Sequence, residues 1–423
     1  MKIENIKDDK KGVFLYQTND FVTIQIKFLF EIPDNKKSIV TSRILSQYLT
    51  KTNKKYKTYK TITNKLKEFY DMSIRIRTIC VGKQNFLSFE VELLDPKYIE
   101  EDYLKDAIKF AKEILFNPNF DSNSLDNETF EYIKNDLINK ENINISNPKV
   151  INERLLFSNM IPQSNLSKNL FTDIEEFKNI VNSITQKDII DFYHKIIEKS
   201  FYKGYVFGNV SDKEFTEIRK AFQFTSNNKK VDYIDRVELP KGYKEIVNND
   251  IKQSNLYVVY DINDYNPENT YLYKTLSYML NTGNGLCHKV LRTELGIVYS
   301  AYSIYNPNMG YLYIRADISK ENKEKCLNGI DDIINRLKNP KIVKDLLEYA
   351  IEKQNQNDYA SEEIFIDNLR DLEDYIFYDK QSREELSKRI NRITVEDIIN
   401  QINNLEKKYV YFYKGDKEWE IIL

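Results

Sequence analysis

Histidine is nearly missing from this chain, with two residues, His194 and His288, in 423. Neither has a second histidine nearby in sequence, so no helix can bring two imidazoles to one metal ion by their four-residue spacing. Cysteine is scarce as well. Cys80, Cys287 and Cys326 are far apart and odd in number, which excludes a disulfide framework and a C-x-x-C pair and suits reduced thiols. Eleven glycines and nine prolines leave little material for long flexible linkers. No apolar run approaches the roughly 20 residues needed to cross a bilayer, and the opening residues, Met1 to Lys10, lack the apolar centre of a signal peptide. The expectation is a cytoplasmic protein with no membrane partner. Neither sign of charge dominates: 63 Lys and Arg stand against 65 Asp and Glu, a formal net charge of -2. There is no overall basic field to hold nucleic acid.

What is present is length, alternation and a repeat. A chain of 423 residues exceeds one typical core and predicts two domains of about 200 residues each. Ile184-Thr185-Gln186-Lys187-Asp188-Ile189-Ile190 recurs as Ile393-Thr394-Val395-Glu396-Asp397-Ile398-Ile399. In both copies a threonine followed three residues later by aspartate reads as a helix N-cap, and both precede an aromatic strand that ends in glycine, Gly208 or Gly415. The copies also begin alike, with strand-like alternation over 21–30 and 255–261, each read as having one buried face, followed by helical patterns over about 37–49 and 267–280. The polar stretch Ser226 to Lys230, with Pro240-Lys241-Gly242 after it, marks the boundary. The predicted architecture is α+β: two tandem homologous domains, 1–225 and 246–423, joined by a linker at 226–245, each a mostly antiparallel sheet packed with helices.

Several local signals have ordinary readings. Asn281-Thr282-Gly283-Asn284-Gly285-Leu286 bears glycines before a helix but lacks the Gly-Lys-Ser/Thr ending of a phosphate loop and follows a helix, so it reads as a tight interhelical turn. Lys54, Lys55, Tyr56, Lys57, Tyr59 and Lys60 interleave basic and aromatic side chains without any RNA-binding motif, and read as a solvated loop and helix start. His194 sits on an amphipathic helix and reads as packing or capping. His288 lies one helical turn from Arg292.

The segment Leu291-Arg292-Thr293-Glu294-Leu295-Gly296-Ile297-Val298-Tyr299-Ser300 reads as helix, stop and strand, with Gly296 at a left-handed C′ position. On its own, an arginine at a helix C-terminus and a strand tyrosine among 31 need no function. The segment nevertheless resembles the R-x-x-x-G-x-x-Y element of the peptidase M16 family, the pitrilysin and mitochondrial processing peptidases. The resemblance extends along the chain through Arg43 to Leu49, Leu66 to Met72, Phe130 to Lys134 and Glu153 to Leu156. These stretches are similar to a non-catalytic bacterial branch associated with aminopentanol modification of elongation factor P.

The resemblance implies a metallohydrolase-like fold of paired half-domains and a zinc site of the form H-x-x-E-H on the first long helix. Aligning that helix by its apolar positions puts Arg43, Ser46 and Gln47 where His, Glu and His would stand. Arginine cannot become a ligand, and serine is no substitute for the glutamate base. The third ligand of the family, a glutamate on a later helix, would fall near Glu128 or Glu131, where Lys134 and Asp136 also lie. No metal or catalytic residue is therefore expected in this chain. The resemblance also implies that Arg292 and Tyr299 face a cavity and donate hydrogen bonds to a peptide carbonyl. The implied function is a non-catalytic, insulinase-like subunit of a heterodimeric metallopeptidase active in proteolysis, with zinc and the H-x-x-E-H motif on an M16 paralogue and a homodimer open to the isolated chain. The other readings are a scaffold or assembly protein in a modification pathway, and an independent metallopeptidase with unusual ligands.

Overall fold

The computed structural model describes residues 5–8, 12–99, 101–121, 124–222, 231–281, 283, 285–378 and 380–417. Ser226 to Lys230 of the expected linker, Thr282 and Asn284 of the glycine turn, and most of the Met1 to Lys10 opening lie outside the described residues. The chain divides into two compact units, and neither is contiguous. The first is formed by Met1–Ile151, Lys168–Tyr233 and Phe365–Lys380; the second by Asn152–Ser167, Ile234–Ile364 and Gln381–Leu423.

The first unit contains β1 (Ile6–Asp8), β2 (Val13–Gln17), β3 (Thr23–Ile32), β4 (Ser73–Val81), β5 (Gln84–Leu94), the short hairpin β6 (Phe120–Asp121) and β7 (Ser124–Leu125), and β8 (Phe201–Gly208). Its main sheet has the order β1-β2-β8-β3-β5-β4, and β2 with β8 is its one parallel pair. The second unit carries β9 (Gly242–Asn248), β10 (Ser254–Ile262), β11 (Val298–Asn306), β12 (Tyr311–Ile318) and β13 (Leu405–Gly415) in the order β11-β12-β10-β13-β9. Here too a single pair, β13 with β9, is parallel. Both sheets are therefore mostly antiparallel and packed with helices, and the second repeats the order of the five strands β4-β5-β3-β8-β2. The repeated motif seen in sequence supplies the matching helix and strand. Thr185 with Asp188 and Thr394 with Asp397 form reciprocal capping boxes on helices Gln186–Ile196 and Val395–Asn403, ahead of β8 and β13.

In each unit the sheet is covered on both faces. Strand β3 alternates in sequence, yet its polar positions Gln25 and Lys27 are buried along with its apolar ones. The one-sided expectation fails because helix Phe365–Tyr378, distant in sequence, lays Leu369, Leu372, Ile376 and Phe377 on that second face. The second sheet receives Leu156, Met160 and Ile161 over a tyrosine layer that includes Tyr257, Tyr311, Tyr313 and Tyr411. Lys27 tolerates burial because it is paired. Lys27 Nζ lies 2.8 Å from Glu373 and 3.3 Å from Glu90, while Glu90 also accepts from Ser88 and Arg77.

Burial alone would raise the Glu90 pKa, but Lys27, Ser88 and Arg77 outweigh it and hold the carboxyl below the usual glutamate range. A group whose folded pKa lies below its unfolded one adds stability above the unfolded value and loses it as pH falls through the folded value. The urea midpoint is therefore expected to fall on acidification below about pH 4.5, less steeply in Glu90→Gln. Parallel pH curves for the two proteins would show that Glu90 contributes nothing to acid sensitivity.

Candidate functional site

The helix that carries Arg43, Ser46 and Gln47 is Lys36–Lys51, opened by Asn35, whose side chain accepts from the Ser38 amide. Its buried stripe of Ile39, Val40, Ile44, Leu45, Tyr48 and Leu49 fixes which side faces the core. Ser46 is buried, and its hydroxyl donates back to the Ser42 carbonyl at 2.7 Å, so it has a purely helical partner. Arg43 is about one-third exposed, and its guanidinium stands 3.8 Å from the buried Glu141 carboxylate and 6.0 Å from the centre of the Phe171 ring.

Glu141 belongs to helix Asn127–Ser146, whose inward face carries Phe130, Ile133, Lys134, Leu137 and Glu141. Glu128 and Glu131, the carboxylates expected nearest the metal position, are exposed instead. The buried stripe continues three turns past Phe130 to Glu141, a carboxylate that no local sequence pattern marks. Lys134 is buried over the Phe130 ring at 5.1 Å and approaches the Ile184 carbonyl at 3.4 Å. Arginine has no lone pair to offer a metal. Among the described residues no group of three or more His, Cys, Asp or Glu side chains is gathered to hold a metal ion. The residues present do not fit zinc; a guanidinium faces the carboxylate.

The remaining nucleophile and base candidates are placed as follows. His194 is half exposed and pairs with Glu198 at 2.8 Å, one helical turn away. His288 is exposed. Cys287 and Cys326 are fully buried, and burial pushes both thiols up to about 12, so neither is a thiolate at neutral pH. Cys80 is exposed and all three cysteines are free. A disulfide-exchange reagent at pH 8 should therefore titrate one thiol quickly in the native chain and three after unfolding; rapid reaction of all three in the native state would contradict the burial of Cys287 and Cys326. In the basic-aromatic stretch, Lys55 lies over the Tyr56 ring at 5.3 Å and Lys57 donates to the Asn119 side chain at 3.1 Å. Those cations are occupied by local partners.

Arg292 and Tyr299 are brought together by three departures from regular backbone. Residues Cys287–Glu294 form a π-helix, and the Leu295 amide closes on the Val290 carbonyl, five residues back. Gly296 follows at φ 65°, a left-handed conformation, and lets the Ile297 amide bond the Leu291 carbonyl at 3.1 Å. Strand β11 then bulges. Val298 pairs with Ile318 but Ser300 pairs with Asp317, so Tyr299 is an extra residue opposite no partner. The Tyr299 side chain is 61% exposed. The exposed Arg292 reaches across and donates from Nη1 to the Tyr299 carbonyl at 2.8 Å. A guanidinium has five N–H donors, so most of its capacity remains for a ligand. π-Helical turns and β-bulges both concentrate at functional sites, where they re-aim side chains. Nearby, the Asn281 side chain accepts from the Ser303 amide at 2.6 Å and donates to its carbonyl at 2.8 Å, which satisfies part of the β11 edge.

Residues 183–354 match the family model described as the peptidase M16 inactive domain. That segment, which holds Arg292 and Tyr299, is M16-like. The fold of the chain is shared along nearly its whole length with solved structures. A conserved protein from Enterococcus faecalis V583 is 19% identical, with a TM-score of 0.84 over 98% of this chain and 100% of that one. A protease from Helicobacter pylori is 14% identical, with a TM-score of 0.73 over 97% and 99%. A peptidase M16 inactive domain from Pseudomonas fluorescens is 14% identical, with a TM-score of 0.73 over 98% and 100%. At these identities the likeness concerns the fold alone. No curated protein matches the chain significantly. The M16 resemblance drawn from the Arg292 segment and its companions thus agrees with an independent match, as does the α+β architecture.

Proposed function

We propose that the chain is the non-catalytic subunit of a heterodimeric M16-type zinc peptidase. The partner, a zinc-bearing paralogue with H-x-x-E-H, supplies the metal and the base; this chain supplies Arg292 and Tyr299 to the peptide substrate. The observation that carries the reading is the contrast within one chain: Arg43 facing Glu141 where a metal would be held, and an exposed Arg292–Tyr299 pair presented by a π-turn and a bulge. Both groups donate hydrogen bonds suited to a peptide carbonyl or a developing oxyanion. We assign the protein to the bacterial cytoplasm and to the branch associated with modification of elongation factor P. No described helix is long and apolar enough to cross a membrane. Size-exclusion chromatography of the chain mixed with the H-x-x-E-H product of a neighbouring gene tests the pairing; two separate peaks at micromolar concentration would count against it.

A scaffold or assembly role is the alternative, and one contact favours it. Arg292 already satisfies a carbonyl left open by the bulge, a job that needs no substrate. If an intact complex keeps its full peptidase activity when Arg292 and Tyr299 are both replaced, the scaffold reading stands.

A further inference from the structure

Strict alternation starting from Val298, which lies on the helix-packed side of its sheet with Ile318, would return Ser300 to that same side. Instead Ser300 sits opposite Asp317, and its hydroxyl donates to Asp317 Oδ2 at 2.6 Å. The carboxylate is held in turn. Asp317 Oδ1 accepts from Asn255 Nδ2 at 2.7 Å and from Arg315 Nε at 3.0 Å. Asn255 Oδ1 accepts from Asn152 Nδ2 at 2.9 Å, and Asn152 is 2% exposed. Arg315 is flanked by the Tyr257 and Tyr302 rings at 5.5 and 5.7 Å. A carboxylate receiving three donors, one from a guanidinium and one at the short distance of a charge-assisted bond, is a rigid anchor on a central strand.

We propose that Asp317 is the positioning residue of the Tyr299 site. Acting through Ser300, it fixes the phase of the β11 bulge, so that Tyr299 stays outside the ladder with its phenol exposed and its carbonyl turned to Arg292. Without the Ser300 hydroxyl the strand can slip by one residue into regular alternation, which moves every side chain on that stretch to the other face. The proposal rests on the reading of Tyr299 as a peptide-binding group only for its functional meaning; the structural device stands by itself.

The test uses the full chain with 3-fluorotyrosine at position 299, observed by fluorine NMR, together with hydrogen exchange over 297–306. Ser300→Ala is expected to shift or split the Tyr299 resonance and to raise exchange over the segment about tenfold, the loss of one charge-assisted bond. Ser300→Thr, which keeps the hydroxyl, is expected to restore both. Asp317→Asn should reproduce the alanine phenotype. A resonance and exchange pattern in Ser300→Ala identical to the unmodified chain overturns the proposal. A moved resonance in Ser300→Ala, combined with full peptide cleavage by a Tyr299→Phe complex, upholds the positioning role and removes the peptide-binding reading, so the two fail separately.

Discussion

Replacing Arg292 with alanine and Tyr299 with phenylalanine together should lower kcat/KM of the assembled peptidase by about 10²- to 10³-fold while the complex stays intact. Removing one preorganised donor from an oxyanion site costs about 2.7–4 kcal/mol of transition-state stabilisation in well-studied proteases, and groups acting as a unit are not additive. The double variant is therefore placed near the cost of one donor. Steady-state kinetics on a fluorogenic peptide, with complex integrity checked by size-exclusion chromatography, reads the effect. The fall should appear mainly in kcat if the pair acts in the transition state, and mainly in KM if it only grips the ground-state peptide. Arg292→Ala alone carries a structural component, because the Tyr299 carbonyl loses its donor. Tyr299→Phe alone leaves that contact in place.

The second large effect is on stability. Arg43→Ala takes the guanidinium away from a buried carboxylate, Glu141. Breaking a fully buried ion pair costs about 3–5 kcal/mol. Here Arg43 is one-third exposed and the atoms are 3.8 Å apart, so the expected loss is about 1–3 kcal/mol. Chemical denaturation measures it. Adding Glu141→Leu to Arg43→Ala should recover part of the loss, because no carboxylate then remains buried at that position. If the double variant is less stable than the single one by a further full increment, the two side chains act independently and the guanidinium does not compensate the carboxylate.

How much of this was legible in sequence follows from the range of the interactions. The capping boxes at Thr185 and Thr394 are four-residue patterns and were readable as such. So was the stop at Gly296, because a left-handed residue after an amphipathic helix has a local signature. The near absence of histidine set the expectation that this chain holds no histidine pair for a metal. The Arg43–Glu141 contact was not readable: the two are 98 positions apart, and no local pattern pairs them. The two-sided burial of β3 escaped for the same reason. Helix Phe365–Tyr378 arrives from more than 300 residues away, and the alternation of β3 read as one exposed face. The division expected at 226–245 assumed contiguous domains, whereas each compact unit borrows a segment from the far side of that boundary. The bulge at Tyr299 left no mark in the alternation of β11, since Val298, Ser300 and Ala301 suit either phase. Only its pairing with β12 reveals it.

We propose that this chain completes a peptidase whose zinc lies in a partner. The most direct measurement is peptide cleavage by three samples: the chain alone, the zinc-bearing neighbour alone, and their equimolar mixture, with zinc quantified in each. The account predicts no stoichiometric zinc and no cleavage for the chain alone, and a gain in cleavage for the mixture well above the neighbour alone. Stoichiometric zinc with activity in the isolated chain, or a mixture that neither associates nor exceeds the neighbour alone, would contradict it.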